Sequence, residues 1–150
     1  MNILKTMMAV SMAAMAMLSA SCQKEDAVKK RLPQLEVNAN NISGEWELVE
    51  WNNAPLAEGT YVRIEFVRND RTYTMIQNLD SFADIPHVVT GSYYIDTVPE
   101  LGAIIRGNYD HDSGDWAHRY IVKSLTASEM VWVAKDDQTF IQKFERTTLR

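Results

Sequence analysis

From Ile42 onward the apolar residues fall into eight short runs set apart by turn-forming residues, and no run has the length or period of an amphipathic helix. A repeat of two places successive side chains on opposite faces of an extended chain, so each run suits a strand with one buried face and one wet face. The first run, Ile42–Trp51, shows this best. Trp46 and Leu48 share one face, Glu45 and Glu47 take the other, and Gly44 marks the strand entry two residues before a large indole. A residue without Cβ at that point lets another part of the chain pass close by.

The second run alternates Val62, Ile64 and Phe66 with Arg63 and Glu65, and Asn69-Asp70 reads as a hairpin turn into a third strand, Thr72–Gln77. Further strands are expected at Val88–Ile95, Ala103–Tyr109, Trp116–Lys123, Met130–Ala134 and Phe140–Arg146, with turns at 110–115, 124–128 and 136–137. Eight strands at this spacing specify an all-β domain, either a sandwich or an up-and-down barrel. About 110 residues make one domain and are too few for two.

The chain before Ile42 is of another kind. Lys5 followed by the apolar stretch Met7–Leu18 has the charged start and 7 to 15 residue core of a secretory signal peptide. It is shorter than the roughly 20 residues that span a bilayer. Directly after Leu18, Ser19, Ala20 and Ser21 stands Cys22, the only cysteine. A single thiol in an exported chain has no intramolecular partner, so it stays free, pairs between chains or is modified.

This segment resembles a bacterial lipobox, which implies cleavage before Cys22 and acylation of its sulfur. It departs from the strict pattern in having leucine four residues before the cysteine and serine directly before it. Gln23 is not the aspartate of an inner-membrane retention signal, and Gln23, Lys24, Glu25 and Asp26 together resemble a short export signal for outer-membrane surface lipoproteins. The stretch through Asn41 lacks periodicity and reads as a flexible tether reaching on the order of 25 Å. The expected organisation is a signal peptide at 1–21, a lipidated tether at 22–41 and the β-domain at 42–150.

Of 20 acidic and 15 basic residues only Lys5 precedes Cys22, so the mature chain carries 14 positive against 20 negative groups, a net charge of minus 6 with histidines neutral. With no basic stripe among the aromatics, nucleic acid is excluded as a partner. His87, His111 and His118 lack metal-ligand spacing, and no nucleophile or paired-carboxylate arrangement stands out, so neither a metal, a cofactor nor an enzyme activity is expected. Asp110, Asp112 and Asp115 with Gly114 lack the glycine offset and distal glutamate of a calcium loop and read as a solvated turn.

Gly44, Glu45 and Trp46 match the Gly-x-Trp signature of lipocalins, and Arg146 stands where that family packs a basic residue over the tryptophan. With the strand around Thr90–Tyr93, the Gly107–Trp116 hairpin and the closing Phe144–Thr147, the segment 42–150 resembles the lipocalin-like domains of bacterial lipoproteins. The resemblance implies an eight-stranded antiparallel up-and-down barrel, closed by Gly44, Trp46 and Arg146. It also implies a small apolar or amphipathic ligand. Tyr73, His118, Tyr120 and Gln142 lie on faces that would point inward and are the candidate ligand residues. The large Trp116, Trp132, Phe140 and Phe144 on the same faces keep open a filled interior, in which the domain is a structural module or binds an envelope protein.

Overall fold

A computed structural model describes residues 31–79 and 85–147. The signal peptide, Cys22 and the segment Gln23–Asp26 lie outside the described residues. The strands are β1 (Gly44–Trp51), β2 (Ala54–Pro55), β3 (Val62–Val67), β4 (Thr72–Gln77), β5 (His87–Val98), β6 (Gly102–Gly107), β7 (Tyr120–Leu125), β8 (Glu129–Ala134) and β9 (Ile141–Arg146). All pairings are antiparallel between neighbours, and β1 also pairs with β9, which closes the sheet. The two-residue β2 folds back on the end of β1 outside that ring, so the barrel has eight strands. Closure removes both sheet edges, and with them the unpaired N–H and C=O groups an open edge exposes.

The burial pattern follows the alternation. In β3, Val62, Ile64 and Phe66 are buried while Arg63 and Glu65 are exposed. Two bulges break the period. The register of β1 against β9 shifts between Leu48 and Glu50, which turns Trp51 inward opposite Gln142, where strict alternation would have placed it outside with Glu45 and Glu47. A shift between Val122 and Ser124 similarly buries Leu125. An extra residue on one strand flips the parity of everything beyond it.

Several expected boundaries differ, two of them by four residues or more. The strand read at Trp116–Lys123 begins at Tyr120; Trp116 instead belongs to a hairpin in which its N–H donates to Gly107 O (2.8 Å) and Asn108 bridges Asp115. The tether expected to run to Asn41 is, from Gln34, packed on the barrel: Leu35 N–H donates to Leu125 O (2.8 Å) and the Gln34 side chain bonds Ser124. The cluster Asn38–Asn41, rich in turn-forming asparagine, makes a short helix, α1 (Ala39–Ile42). Asn38 caps it by accepting from Asn41 N–H, and Ala39 and Ile42 are buried beneath it.

Chain direction gives the barrel two ends. The turns β3–β4, β5–β6 and β7–β8, together with α1, lie at one; the connections β1–β3, β4–β5, β6–β7 and β8–β9 lie at the other. The α1 end is closed. Trp46 is fully buried there and its Nε1–H donates to Ile42 O (2.8 Å), and Phe66, Tyr93, Leu125 and Met130 complete a solid core.

Candidate functional site

At the closed end, β1 and β9 place Trp46 directly opposite Arg146, and the guanidinium lies over the indole, 4.1 Å from the ring centroid. Its nitrogens donate to Ala127 O (2.9 Å), Asn41 O (2.8 Å) and Ser43 O, so one side chain ties the β7–β8 turn, α1 and the start of β1 together. Gly44 makes room for it. With φ at +114° and a Cβ position only 2.7 Å from Arg146 Nη1, no other residue fits there without displacing the arginine.

Toward the opposite end the interior is not filled. A cavity of about 240 Å³ lies between the strands, floored by Ile64 and Phe144 and walled by Val62, Met75, Trp51, Trp132 and Phe140. Trp116, Tyr120, Tyr109, Gln77 and Gln142 also face it, and the exposed Leu79 and Ala117 form its rim. Seven of the lining side chains are aromatic and none is charged.

The rings support one another. Tyr120 stacks on Trp132 (4.5 Å, 14° between planes), while Trp132 meets Phe144 and Trp51 meets Phe140 edge to face, the geometries that ring quadrupoles favour. Trp116 enters the barrel because Gly107 leaves a gap: a Cβ there would sit 2.3 Å from the indole.

The polar groups divide into spent and available. Trp132 Nε1–H donates to Gln142 Oε1 (2.7 Å), fixing the orientation of a buried amide. The Tyr120 hydroxyl has no hydrogen-bond partner among the described residues, and burial pushes its pKa up to about 12, so it stays a neutral phenol facing the cavity.

Of the four residues expected to meet a ligand, Tyr120 and Gln142 line the cavity and Tyr73 and His118 do not. Tyr73 does point inward, but its hydroxyl donates to Asn108 O (2.8 Å) and accepts from Trp116 Nε1–H (2.8 Å). It is a buried strut behind the cavity wall. His118 precedes β7 and turns to the rim, with Nδ1 2.8 Å from Asp136 Oδ1 and its ring 4.9 Å from that of Phe140. The hydrogen bond from His118 holds the Asp136 carboxyl below its ordinary pKa.

Alternation did not mark Trp51 as a lining residue, because the β1 bulge that turns it inward has no signature in its side chains. Gln77 and Tyr109 were equally unmarked, although Gln77 shares a β4 face with Tyr73, which was a signal available in the sequence. The Asp110–Asp115 segment forms a turn in which Asp112 Oδ1 accepts from Gly114 N–H (2.6 Å) and lies beside His111.

A model of the lipocalin-like domain matches residues 42–132, more than half of the chain. The chain belongs to the lipocalin-like domain family. The match runs from the last residue of α1 into β8, and β9, which lies beyond it, closes the lipocalin-like barrel in this chain. No match was found among curated proteins or among solved structures.

Proposed function

We propose that this chain is a membrane-anchored lipoprotein displayed at the cell surface, whose lipocalin-like barrel captures a small apolar or amphipathic molecule. The observation that carries the binding reading is the aromatic cavity of about 240 Å³ with an unpartnered hydroxyl, Tyr120 Oη, facing it. Binding sites are concave, mostly apolar and carry a few placed polar groups, and this one lies just below their usual range of about 300–1,000 Å³. The anchoring reading rests on the signal-like Met7–Leu18, the lone Cys22 and the Gln23–Asp26 segment. With no charged group on the lining, the activity proposed is capture without chemical conversion.

A second reading draws on the closed half. Trp46, Phe66, Tyr73, Tyr93 and Ile105 are all but fully buried, so much of the barrel is solid, as in a domain whose work is done on its outer surface with an envelope protein. Native mass spectrometry of the full chain, purified from the producing bacterium, separates the two. A co-purified small molecule that is lost on Tyr120→Trp, a change that removes the hydroxyl and takes up part of the cavity, supports capture. A chain that carries nothing and co-purifies with an envelope protein supports the second reading.

A further inference from the structure

Resting on the capture reading, we propose that the preferred ligand is a compact aromatic amine, its flat ring inside the barrel and its protonated nitrogen at the mouth. Three features of the cavity lead there. Its walls are rings: Trp116, Tyr120, Trp132 and Phe140 meet at a mixture of stacked and tilted angles, which offers faces and edges to an inserted ring. Aromatic pairs in offset or edge-on arrangement gain beyond simple burial. Its size, about 240 Å³, admits a ring system but falls below the usual range of ligand sites. Its lining holds no charged side chain, so an ionised group drawn into it would lose its hydration without compensation. Any charge on the ligand stays at the mouth.

The mouth itself selects the sign of that charge. Among the described residues, the connections at this end hold Glu58, Asp110, Asp112, Asp115, Asp136 and Asp137 against Arg119 and Lys135, six acidic to two basic, a net of minus 4. At the closed end the turns balance, with Arg68 and Arg71 against Asp70 and Glu100. Among the turns, the acidic excess therefore falls at the end where a ligand enters. Aromatic faces add attraction for a cation near the rim. A fatty acid fits neither feature, since its carboxylate would sit in the negative mouth and its chain would outrun the cavity.

The test is calorimetric titration of the Cys22→Ser full chain, which carries no thiol for acylation. The probes are 2-naphthylmethylamine, 2-naphthylmethanol, 2-naphthoate and palmitate. At low ionic strength the amine is expected to bind roughly tenfold tighter than the alcohol, and the carboxylate weakest. The gap between amine and alcohol should narrow at high salt.

In Asp110→Asn/Asp112→Asn/Asp137→Asn the gap should close while the alcohol binds as before. Asparagine keeps the oxygens that Asp112 offers to Gly114 N–H and Asp137 to Thr139, and unchanged alcohol binding certifies the fold. Naphthoate or palmitate binding as tightly as the amine overturns the ligand class and leaves capture standing. Silence from all four probes also overturns it, and whether capture falls with it is decided separately by the co-purification experiment.

Discussion

Gly44 and Trp46 on β1 are far in sequence from Arg146 and touch it only because β1 meets β9, so the three measure barrel closure directly. Truncating a buried tryptophan costs about 3 to 5 kcal/mol, whereas a guanidinium over an aromatic face is worth about 0.5 to 2 kcal/mol. Trp46→Ala is therefore expected to lower unfolding stability more than Arg146→Ala, and the double variant should show coupling of about 0.5 to 2 kcal/mol by denaturant titration. Additive effects would mean the contact contributes nothing. Tyr120 gives a second expectation. Its phenol is protonated in the folded barrel up to about pH 12, while an unfolded tyrosine ionises near 10. The native state then holds the extra proton, so stability is complete below pH 10 and falls as pH rises through this window. The shift corresponds to about 2 to 3 kcal/mol, and Tyr120→Phe should flatten the fall in alkaline melting experiments.

Among elements, those whose geometry is local were legible and those whose geometry is tertiary were not. β4 was read at its true bounds because Asn69-Asp70 marks the turn before it and Thr72, Tyr73 and Thr74 favour an extended chain. The bulges in β1 and β7 carry no glycine or proline, and only the pairing with β9 and β8 reveals that Trp51 and Leu125 face inward. The first three residues of α1 were read as tether and Ile42 as strand, because four residues are too few for helical periodicity to show. Its stability comes from the Asn38 cap and from burial of Ile42 against the Trp46 core. Ile42→Ala should accordingly cost about 2 to 5 kcal/mol, a core-sized loss at the last residue of a four-residue helix, measured as a shift in the denaturant midpoint. Of the candidate site, Tyr120 and Gln142 were legible from strand parity. Tyr73 and His118 were misplaced because parity tells which face a residue takes but not which neighbour consumes its polar atoms.

The whole molecule has a direction. The chain reaches the barrel at its closed end, where Leu35 joins β7 and α1 leads into β1, and the cavity opens at the other. On the proposed anchoring at Cys22, the lipid belongs to the segment that leads into the closed end rather than to the mouth. If the proposed anchor and capture hold, the leaflet carrying the lipid would decide which compartment supplies the ligand: the medium for a protein displayed outside, the periplasm for one that is not. Cys22→Ser should move the protein from the membrane to the soluble fraction and abolish incorporation of labelled fatty acid, and labelling that persists would refute the anchor. With the anchor intact, replacing Lys24, Glu25 and Asp26 by alanine should leave the protein in the outer-membrane fraction but shield it from protease added to intact cells. Lysing the same cells first should restore cleavage, which separates a change of leaflet from a change of folding. Equal digestion of the triple variant and the parent on intact cells would show that these three residues do not direct the mouth to the outside.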